Sequence, residues 1–138
     1  MVADDLRMAH RRTTTLRRMP EPAEFRATVE RYIDAWNAED RAGWLGCFAE
    51  DAVSEDPVGS DLMTGHEAIG AFWDGIHSMF EGAKLNPVFG PIVCGNEVVL
   101  AMQATGSSGG NDVVIDIIDH FRLDDDAKVT SLRAFWTM

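Results

Sequence analysis

The segment from residue 113 to residue 123, VVIDIIDHFRL, constrains the fold of this chain more than any other segment. At the two-residue period of a β-strand, it has one face that is apolar except for a single carboxyl group. That face comprises Val113, Ile115, Ile117, Asp119, Phe121 and Leu123. Desolvation among apolar side chains disfavours the charged form of a carboxyl group and raises its pKa, so Asp119 is a candidate for an acid that stays protonated at neutral pH. For one Asp considered alone, an ion pair with a buried Arg or His, or contact with water at the end of the sheet, is the commoner explanation.

A helical stripe follows Pro22, a residue suited to the first turn of a helix. Apolar residues recur there at helical spacing, at Phe25, Val29, Tyr32, Ile33 and Trp36. Tyr32 is the only tyrosine in the chain, and a buried phenol needs a hydrogen-bond partner. In isolation, a core tyrosine bonded to a backbone carbonyl accounts for this position.

A second carboxyl group of interest is Asp56, in the segment EDPVGS at residues 55–60. The following Pro57 favours an extended backbone at Asp56 and offers its carboxylate no amide hydrogen. Asp56 also lies at the end of a predicted strand, where we expect it to be near solvent. An ordinary Asp-Pro turn completed by Gly59 remains the simpler alternative.

The order of predicted elements is helices first and strands afterwards. Asp40 predicts the N-cap of a short helix carrying Trp44, Leu45 and Phe48. The sequence from Thr64 to Glu67 has the form of a capping box and opens a helix that we expect to end at Gly82. Strands are predicted over residues 49–55, 85–93, 97–105, 113–123 and 128–136, with prolines marking 85–93 as an edge or bulged strand.

This order predicts an α+β fold. We expect a cone-shaped α+β barrel in which three N-terminal helices pack in a curved antiparallel sheet. The interior of such a cone is apolar and is where a small ligand would bind. Residues 21–138 are predicted to form this single domain.

Residues 1–20 are predicted to be a disordered basic extension, because five of the 12 basic residues of the chain lie there. Over the whole chain the formal net charge is −11, which argues against nucleic-acid binding because phosphate contacts require clustered Lys and Arg. No segment approaches the roughly 20 apolar residues of a membrane span. Cys47 and Cys94 lack metal or redox spacing, so we expect reduced thiols, a cytoplasmic protein and no metal site.

Four segments carry a resemblance to a known family. They are RYIDAWNAED at 31–40, EDPVGS at 55–60, IDHFR at 118–122 and KVTSLRAFW at 128–136. They closely resemble the bacterial delta-5-3-ketosteroid isomerases, which have the nuclear-transport-factor-two-like, or SnoaL-like, cone fold. Because many unrelated activities share that fold, the motifs are more informative than the fold.

The resemblance implies a steroid delta-isomerase that uses no cofactor. It assigns the general base to Asp56 and the oxyanion hole to Tyr32 and a protonated Asp119. The substrate implied is a 3-oxo-delta-5-steroid, whose double bond moves into conjugation through a dienolate. The pairing of an ionised and a protonated Asp in ketosteroid isomerase is an established example of pKa tuning.

The resemblance is incomplete around Tyr32. Some family members support the oxyanion tyrosine with further tyrosines, whereas here Trp73 and Phe48 are predicted to take those places, and neither can extend a chain of hydroxyl groups. We predict that the wall of the substrate pocket is formed by Trp136, Met102, Phe48 and Trp73.

The resemblance also implies a homodimer formed through the outward face of the sheet. That face includes Ile118, Val129 and Phe135 and is more apolar than a fully solvated sheet.

Two other functions remain open at this point. A limonene-type epoxide hydrolase on the same fold would need an Arg inside the cone, but strand alternation directs Arg122 and Arg133 outward. A steroid-binding or isoprenoid-binding module without activity is the non-enzymatic alternative, since catalysis depends on finer placement than a sequence reveals.

Overall fold

The computed structural model describes residues 19–137. The predicted extension over residues 1–20 lies almost entirely outside this range, and so it stays a prediction, as do the domain limits. In the described part, three helices and six strands follow one another. They are α1 (Pro22–Asn37), α2 (Arg41–Leu45), β1 (Phe48–Glu55), β2 (Met63–Thr64), α3 (Gly65–Met79), β3 (Glu81–Cys94), β4 (Glu97–Ser108), β5 (Asn111–Leu123) and β6 (Val129–Phe135).

The six strands form one sheet in the order β2-β1-β6-β5-β4-β3. Strand β3 is an edge strand whose register with β4 shifts between Pro87 and Phe89 and again before Ile92, as its prolines predicted. Such irregularities bend a strand and increase its twist. The helices pack against the curved, unclosed sheet, which confirms the α+β cone.

One strand pair departs from the predicted antiparallel arrangement. Strands β1 and β6 are parallel, and Glu55 lies beside Arg133 in their register. All other neighbouring strands in the described sheet are antiparallel. The parallel pair brings the end of β1 next to the end of the chain, and this contact positions part of the site described below.

The alternation predicted for residues 113–123 is confirmed. Asp119, Phe121 and Leu123 are buried, whereas Ile118 and Arg122 are exposed. Helix α1 lies against β3 and β4, and its predicted apolar stripe is buried from Phe25 to Trp36.

Three local expectations for the helices were wrong in detail. Asp40 does cap α2, accepting a hydrogen bond from the backbone N–H of Gly43 at 3.0 Å, but α2 ends at Leu45 and Phe48 begins β1. Helix α3 follows Thr64 without a hydrogen bond from its N-terminal backbone to the Thr64 side chain, and it ends at Met79 before Gly82 is reached. The carboxylate of Glu24 instead accepts from the backbone N–H of Glu21 at the start of α1, at 2.9 Å.

The outward face of the sheet also needs one correction. Ile118 and Phe135 are exposed as predicted, but Val129 is fully buried. Strand β5 pairs Arg122 with Ser131 and the next residue, Leu123, with Val129. The extra residue in β6 is a bulge, and a bulge reverses the simple alternation of faces on which the prediction relied.

Within residues 19–137, no helix combines the length and the apolar character that crossing a bilayer requires. Both cysteines are free thiols, with Cys47 buried and Cys94 exposed.

Candidate active site

A cavity of about 310 Å³ lies between the helices and the inner face of the sheet. Its wall comes from α1, α3 and strands β3 to β6, and most of the side chains that line it are apolar. Among the described residues, the titratable groups in this wall are Tyr32, Asp56, Lys84 and Asp119. The three residues predicted to be catalytic therefore share one cavity.

Asp119 is the most deeply buried acid of the site, with 2 % of its surface exposed. It reaches the cavity from the inner face of β5, two residues before the fully buried Phe121. No hydrogen bond joins its carboxyl group to another residue in the range 19–137. Burial raises the pKa of Asp119 well above its usual value, and the negative charge of Asp56 raises it further.

Tyr32 reaches the cavity from the buried face of α1 and is 3 % exposed. Its ring packs edge-on against Phe121 and Phe48, with centroid distances of 5.2 and 5.9 Å. Burial raises the pKa of Tyr32 well above its usual value, and the charges of Asp119 and Asp56 add to the rise. The phenol thus stays a neutral hydrogen-bond donor.

Trp44 is the polar neighbour of Tyr32 that sequence reasoning missed. Its ring centroid lies 5.6 Å from that of Tyr32, and its indole is close enough to oppose part of the rise in the pKa of Tyr32. The indole N–H nevertheless lacks a hydrogen bond of acceptable geometry with any described residue. We therefore treat Trp44 as a nearby dipole, not as a hydrogen-bonded support.

Asp56 directly follows β1 and is half-buried in the cavity wall. Its Oδ1 accepts a hydrogen bond from Trp136 Nε1 at 2.6 Å. Burial raises the pKa of Asp56, and the Trp136 hydrogen bond partly offsets the rise. Asp56 keeps partial exposure, as its place at the end of the strand predicted, but its carboxyl group is more desolvated than expected. The pKa of the almost fully buried Asp119 is raised further.

The neighbouring Glu55 occupies a different environment. Its carboxylate accepts hydrogen bonds from Arg133 Nε and from the backbone N–H of Gly59, each at 3.0 Å. These hydrogen bonds lower the pKa of Glu55. Of the two adjacent acids, only Asp56 lines the cavity.

The four predicted wall residues fall into two pairs. Trp136 and Met102 line the cavity. Phe48 and Trp73 do not line it; they are buried in an aromatic cluster around Trp44, with ring centroids 4.9 and 5.2 Å from that residue. Sequence reasoning missed several wall residues of α1 and α3, although the apolar stripes of those helices contained them: Trp36, Phe72, Ile76 and Met79.

The basic residues of the site are few. Arg122 and Arg133 are exposed and pair with Glu97 and Glu55 outside the cavity, as the alternation predicted. No arginine lines the cavity in the described part of the chain, where Lys84 is the one basic wall residue.

This arrangement places two carboxyl groups and a phenol, all with raised pKa values, in one cavity. Tyr32 and Asp119 lie in a largely apolar wall of this cavity. Such a cavity can bind a flat apolar molecule and stabilise negative charge on one of its oxygen atoms.

The chain is similar to several known proteins. Residues 29–132 match the model of the SnoaL-like domain. The chain is 34% identical over 115 residues to a steroid delta-isomerase of Nocardioides simplex, covering 83% of this chain and 90% of that protein.

Two solved structures are similar in fold. The epoxide hydrolase/cyclase-like enzyme SalBIII, which has a role in pyran ring formation in the polyether salinomycin, is 26% identical with a TM-score of 0.76, covering 84% of this chain and 92% of the other. RV0760c from Mycobacterium tuberculosis is 22% identical with a TM-score of 0.76, covering 87% and 96%. The domain match over most of the chain and the 34% identity to the Nocardioides simplex protein show that the chain belongs to the SnoaL-like domain family.

Proposed function

We propose that this protein is a steroid delta-isomerase, which moves the carbon-carbon double bond of a 3-oxo-delta-5-steroid into conjugation with the ketone. The likeness to the isomerase of Nocardioides simplex supports the reaction class. The apolar cavity fits a flat hydrophobic substrate.

In the proposed mechanism, Asp56 acts as the general base. Its carboxylate takes a proton from the carbon between the ketone and the double bond and returns it two carbons away. Proton transfer is most efficient when the pKa of the base approaches the working pH. The burial that raises the pKa of Asp56 therefore makes it a stronger base than an exposed Asp.

Tyr32 and protonated Asp119 form the proposed oxyanion hole. The dienolate formed by proton removal carries its negative charge on oxygen. Donors that are already in place in a water-poor cavity stabilise such charge without reorganising. Each proton that leaves the substrate returns to it, so the reaction needs no oxidant, reductant or cofactor.

The observation that carries this proposal is the unequal burial of two carboxyl groups in one cavity. The pKa of Asp119 is raised beyond that of Asp56, and the charge of Asp56 itself contributes to the difference. Burial disfavours the charged form of Asp119 more than that of Asp56, and the proposed mechanism uses a charged Asp56 and a neutral Asp119.

The decisive assay follows the absorbance of the conjugated enone after 5-androstene-3,17-dione is added. The wild type should produce the signal, and Asp56→Asn should lose it. Glu55→Gln is the matched control, because it removes the adjacent carboxylate outside the cavity and should leave turnover unchanged. Absence of the signal in the wild type, with ligand-dependent quenching of tryptophan fluorescence, would favour a non-catalytic steroid-binding or isoprenoid-binding module.

The second candidate is opening of an epoxide, favoured by the likeness to the epoxide hydrolase/cyclase-like enzyme. A neutral Asp119 could donate to the epoxide oxygen while Asp56 activates a nucleophile. The absence of an arginine from the described cavity wall argues against the limonene-type Asp-Arg-Asp arrangement. Formation of a diol from limonene epoxide, without enone formation from the steroid, would establish this alternative.

We further propose a homodimer of cytoplasmic location. Exposure of Ile118 and Phe135, at 51% and 43%, on the outward face of the sheet supports the dimer. Sedimentation at micromolar concentration should give the mass of two chains, and a monomer would refute the dimer. The free thiols support the location.

A further inference from the structure

The inner face of β5 forms one long side of the cavity. Alternate residues of this strand line it, namely Val113, Ile115, Ile117 and Asp119. The residues of β4 that lie opposite the first three also line it, in the same order Gly106, Ala104 and Met102. Along this wall, a single acid at one end is therefore followed by apolar pairs up to the other end.

This wall is longer than a steroid nucleus. Asp119 and Val113 are six residues apart, which corresponds to about 20 Å along an antiparallel strand. Four fused rings built from carbon-carbon bonds of about 1.5 Å extend only about 10 Å. With the ketone at Asp119, the opposite ring of a steroid reaches about as far as Ile115. The far end of the wall, from Ile115 to Val113, then faces the substituent on that ring.

The polar side chains near the far end do not face the cavity. Apart from the groups around Asp119, Lys84 and Thr105 are the residues of the described wall with a polar side chain that is not an indole. Strand alternation turns both side chains to the outer face, where Lys84 Nζ donates to the backbone oxygen of Asn37 and Thr105 Oγ1 accepts from Asn86 Nδ2. The indole nitrogen of Trp36 is buried and has no accessible surface.

The end of α3 adds apolar surface at the same place. Phe80, which directly follows α3, lies beside Gly106, because a β-carbon added to Gly106 would be 3.4 Å from the β-carbon of Phe80. The preceding Met79 lines the cavity although it is 61% exposed, so it belongs to the rim of the opening. Covering such exposed apolar surface with hydrocarbon is favourable. A polar group would lose water there without gaining a partner.

We infer that the preferred substrate is a 3-oxo-delta-5-steroid whose ring remote from the ketone carries a hydrocarbon side chain, and that Val113 and Met79 contact that side chain. This inference rests on the proposed function, which places the ketone at Asp119. It narrows the substrate class from steroid ketones in general to those without a polar group at the remote ring. A substrate such as 5-androstene-3,17-dione is still converted, with a lower kcat/KM.

Binding is measured first, with 3-oxo-4-ene steroids that resemble the product. The probes carry a 17β-ethyl group, its isostere 17β-hydroxymethyl, or the longer 17β-butyl, and each is titrated by quenching of tryptophan fluorescence. The wild type should bind the ethyl compound about tenfold more tightly than the hydroxymethyl compound, because a buried hydroxyl without a partner is costly. Each fully buried methylene tightens binding about fourfold. The butyl compound should therefore bind about tenfold more tightly than the ethyl compound, since the rim leaves part of the chain in water.

Two variants separate contact at the far end from general hydrophobicity of the ligands. Val113→Thr keeps the shape of the side chain and adds a hydroxyl group, so it should reduce the preference for ethyl over hydroxymethyl about fivefold. Val114→Thr is the matched control, because Val114 is 61% exposed on the outer face, and it should change this preference less than twofold. Met79→Gln keeps the length of an exposed side chain and should reduce the gain from ethyl to butyl at least threefold.

Turnover is measured with the corresponding 5-ene-3-ketones. The alkyl compounds should have the higher kcat/KM with an unchanged kcat, because a remote contact made equally in the ground state and the transition state affects binding alone. Enone formation from all substrates, without any preference for the alkyl compounds, would retain the isomerase and reject this substrate class. Equal effects of Val113→Thr and Val114→Thr, or equal affinity for the ethyl and hydroxymethyl probes, would also overturn the inference. An alkyl preference that depends on Val113, in a protein that converts none of the ketones, would reject the isomerase and retain the binding role of the far end.

Discussion

Replacing Asp119 by Asn should slow the proposed isomerase far less than replacing it by Leu. Asn has nearly the same shape as Asp, is neutral at every pH and keeps a hydrogen-bond donor. Leu fills similar space but donates nothing. Comparing the two variants therefore distinguishes a role of Asp119 as a neutral donor from a role as a charged base.

The size of each effect follows from the environment of Asp119. With 2 % of its surface exposed, the lost donor cannot be replaced by bulk water. Removing one donor of an oxyanion hole lowers kcat by about 10²–10³-fold, or about 2.7–4 kcal/mol, which is our expectation for Asp119→Leu. An amide N–H is a weaker donor to a charged oxygen than a carboxylic acid O–H, so we expect a loss of about tenfold for Asp119→Asn.

The assay is the rate of enone formation, measured as a function of pH. In the wild type, kcat should fall at alkaline pH as Asp119 ionises and ceases to donate. Asp119→Asn should lose this alkaline decline, because its amide does not titrate. Thermal unfolding serves as the control for folding, and we expect both variants to fold, since the Asp119 carboxyl makes no hydrogen bond with another residue of the described chain that either substitution would break.

Equal inactivity of the two variants would refute the role of neutral donor, because it would show that the carboxylate itself is required. An unchanged alkaline limb in Asp119→Asn would contradict the assignment of that limb to Asp119. Full activity of Asp119→Leu would remove Asp119 from the mechanism.

Four further predictions concern the same site. Asp56→Asn should slow enone formation about 10²–10⁴-fold, the usual contribution of a general base, while the Kd of the 4-ene product changes less than about threefold. Comparable losses of both would mean that Asp56 binds the ligand. Tyr32→Phe should slow turnover less than Asp119→Leu, because no hydroxyl chain tunes the phenol, and equal or reversed losses count against this ranking. Trp136→Phe should move the acid limb of kcat/KM to higher pH, since its indole N–H lowers the pKa of Asp56; an unmoved limb would reject this positioning role. The raised pKa of Asp119 means that the folded chain binds more protons than the unfolded chain above about pH 4, so wild-type stability should fall with rising pH, by up to about 1.4 kcal/mol per pH unit, until Asp119 ionises. The urea midpoint of Asp119→Leu should lack that part of the decline with pH. If the wild type and Asp119→Leu had the same dependence of the urea midpoint on pH, burial would not raise the pKa of Asp119.

Local periodicity was enough to identify two of the three proposed catalytic groups as unusual. The two-residue period of β5 places Asp119 beside Phe121 inside the fold, and the helical stripe of α1 places Tyr32 on its buried face. Both patterns depend on residues close together in the chain. The family resemblance also rested on short motifs, whose residues are close together in the chain, and the domain match confirmed it.

Contacts between distant segments could not be predicted in this way. Phe48 and Trp73 have the aromatic character of wall residues. However, α2 packs against α1 and α3, and its Trp44 gathers both rings around it, away from the cavity. Val129 follows the alternation of β6 in sequence, but the bulge opposite Arg122 turns it inward. Neither outcome is encoded in a local period.

The sequence by itself determined which side chains are costly to bury: a carboxyl group on an apolar strand face and a lone phenol on a helical stripe. Only the tertiary structure decided the surroundings of Asp56, because the parallel pairing of β1 with β6 brings Trp136 to it and the cavity wall partly buries it. The physical reason is that a pKa depends on solvent and on charges within a few ångströms. Those surroundings are supplied by residues that are far apart in the chain.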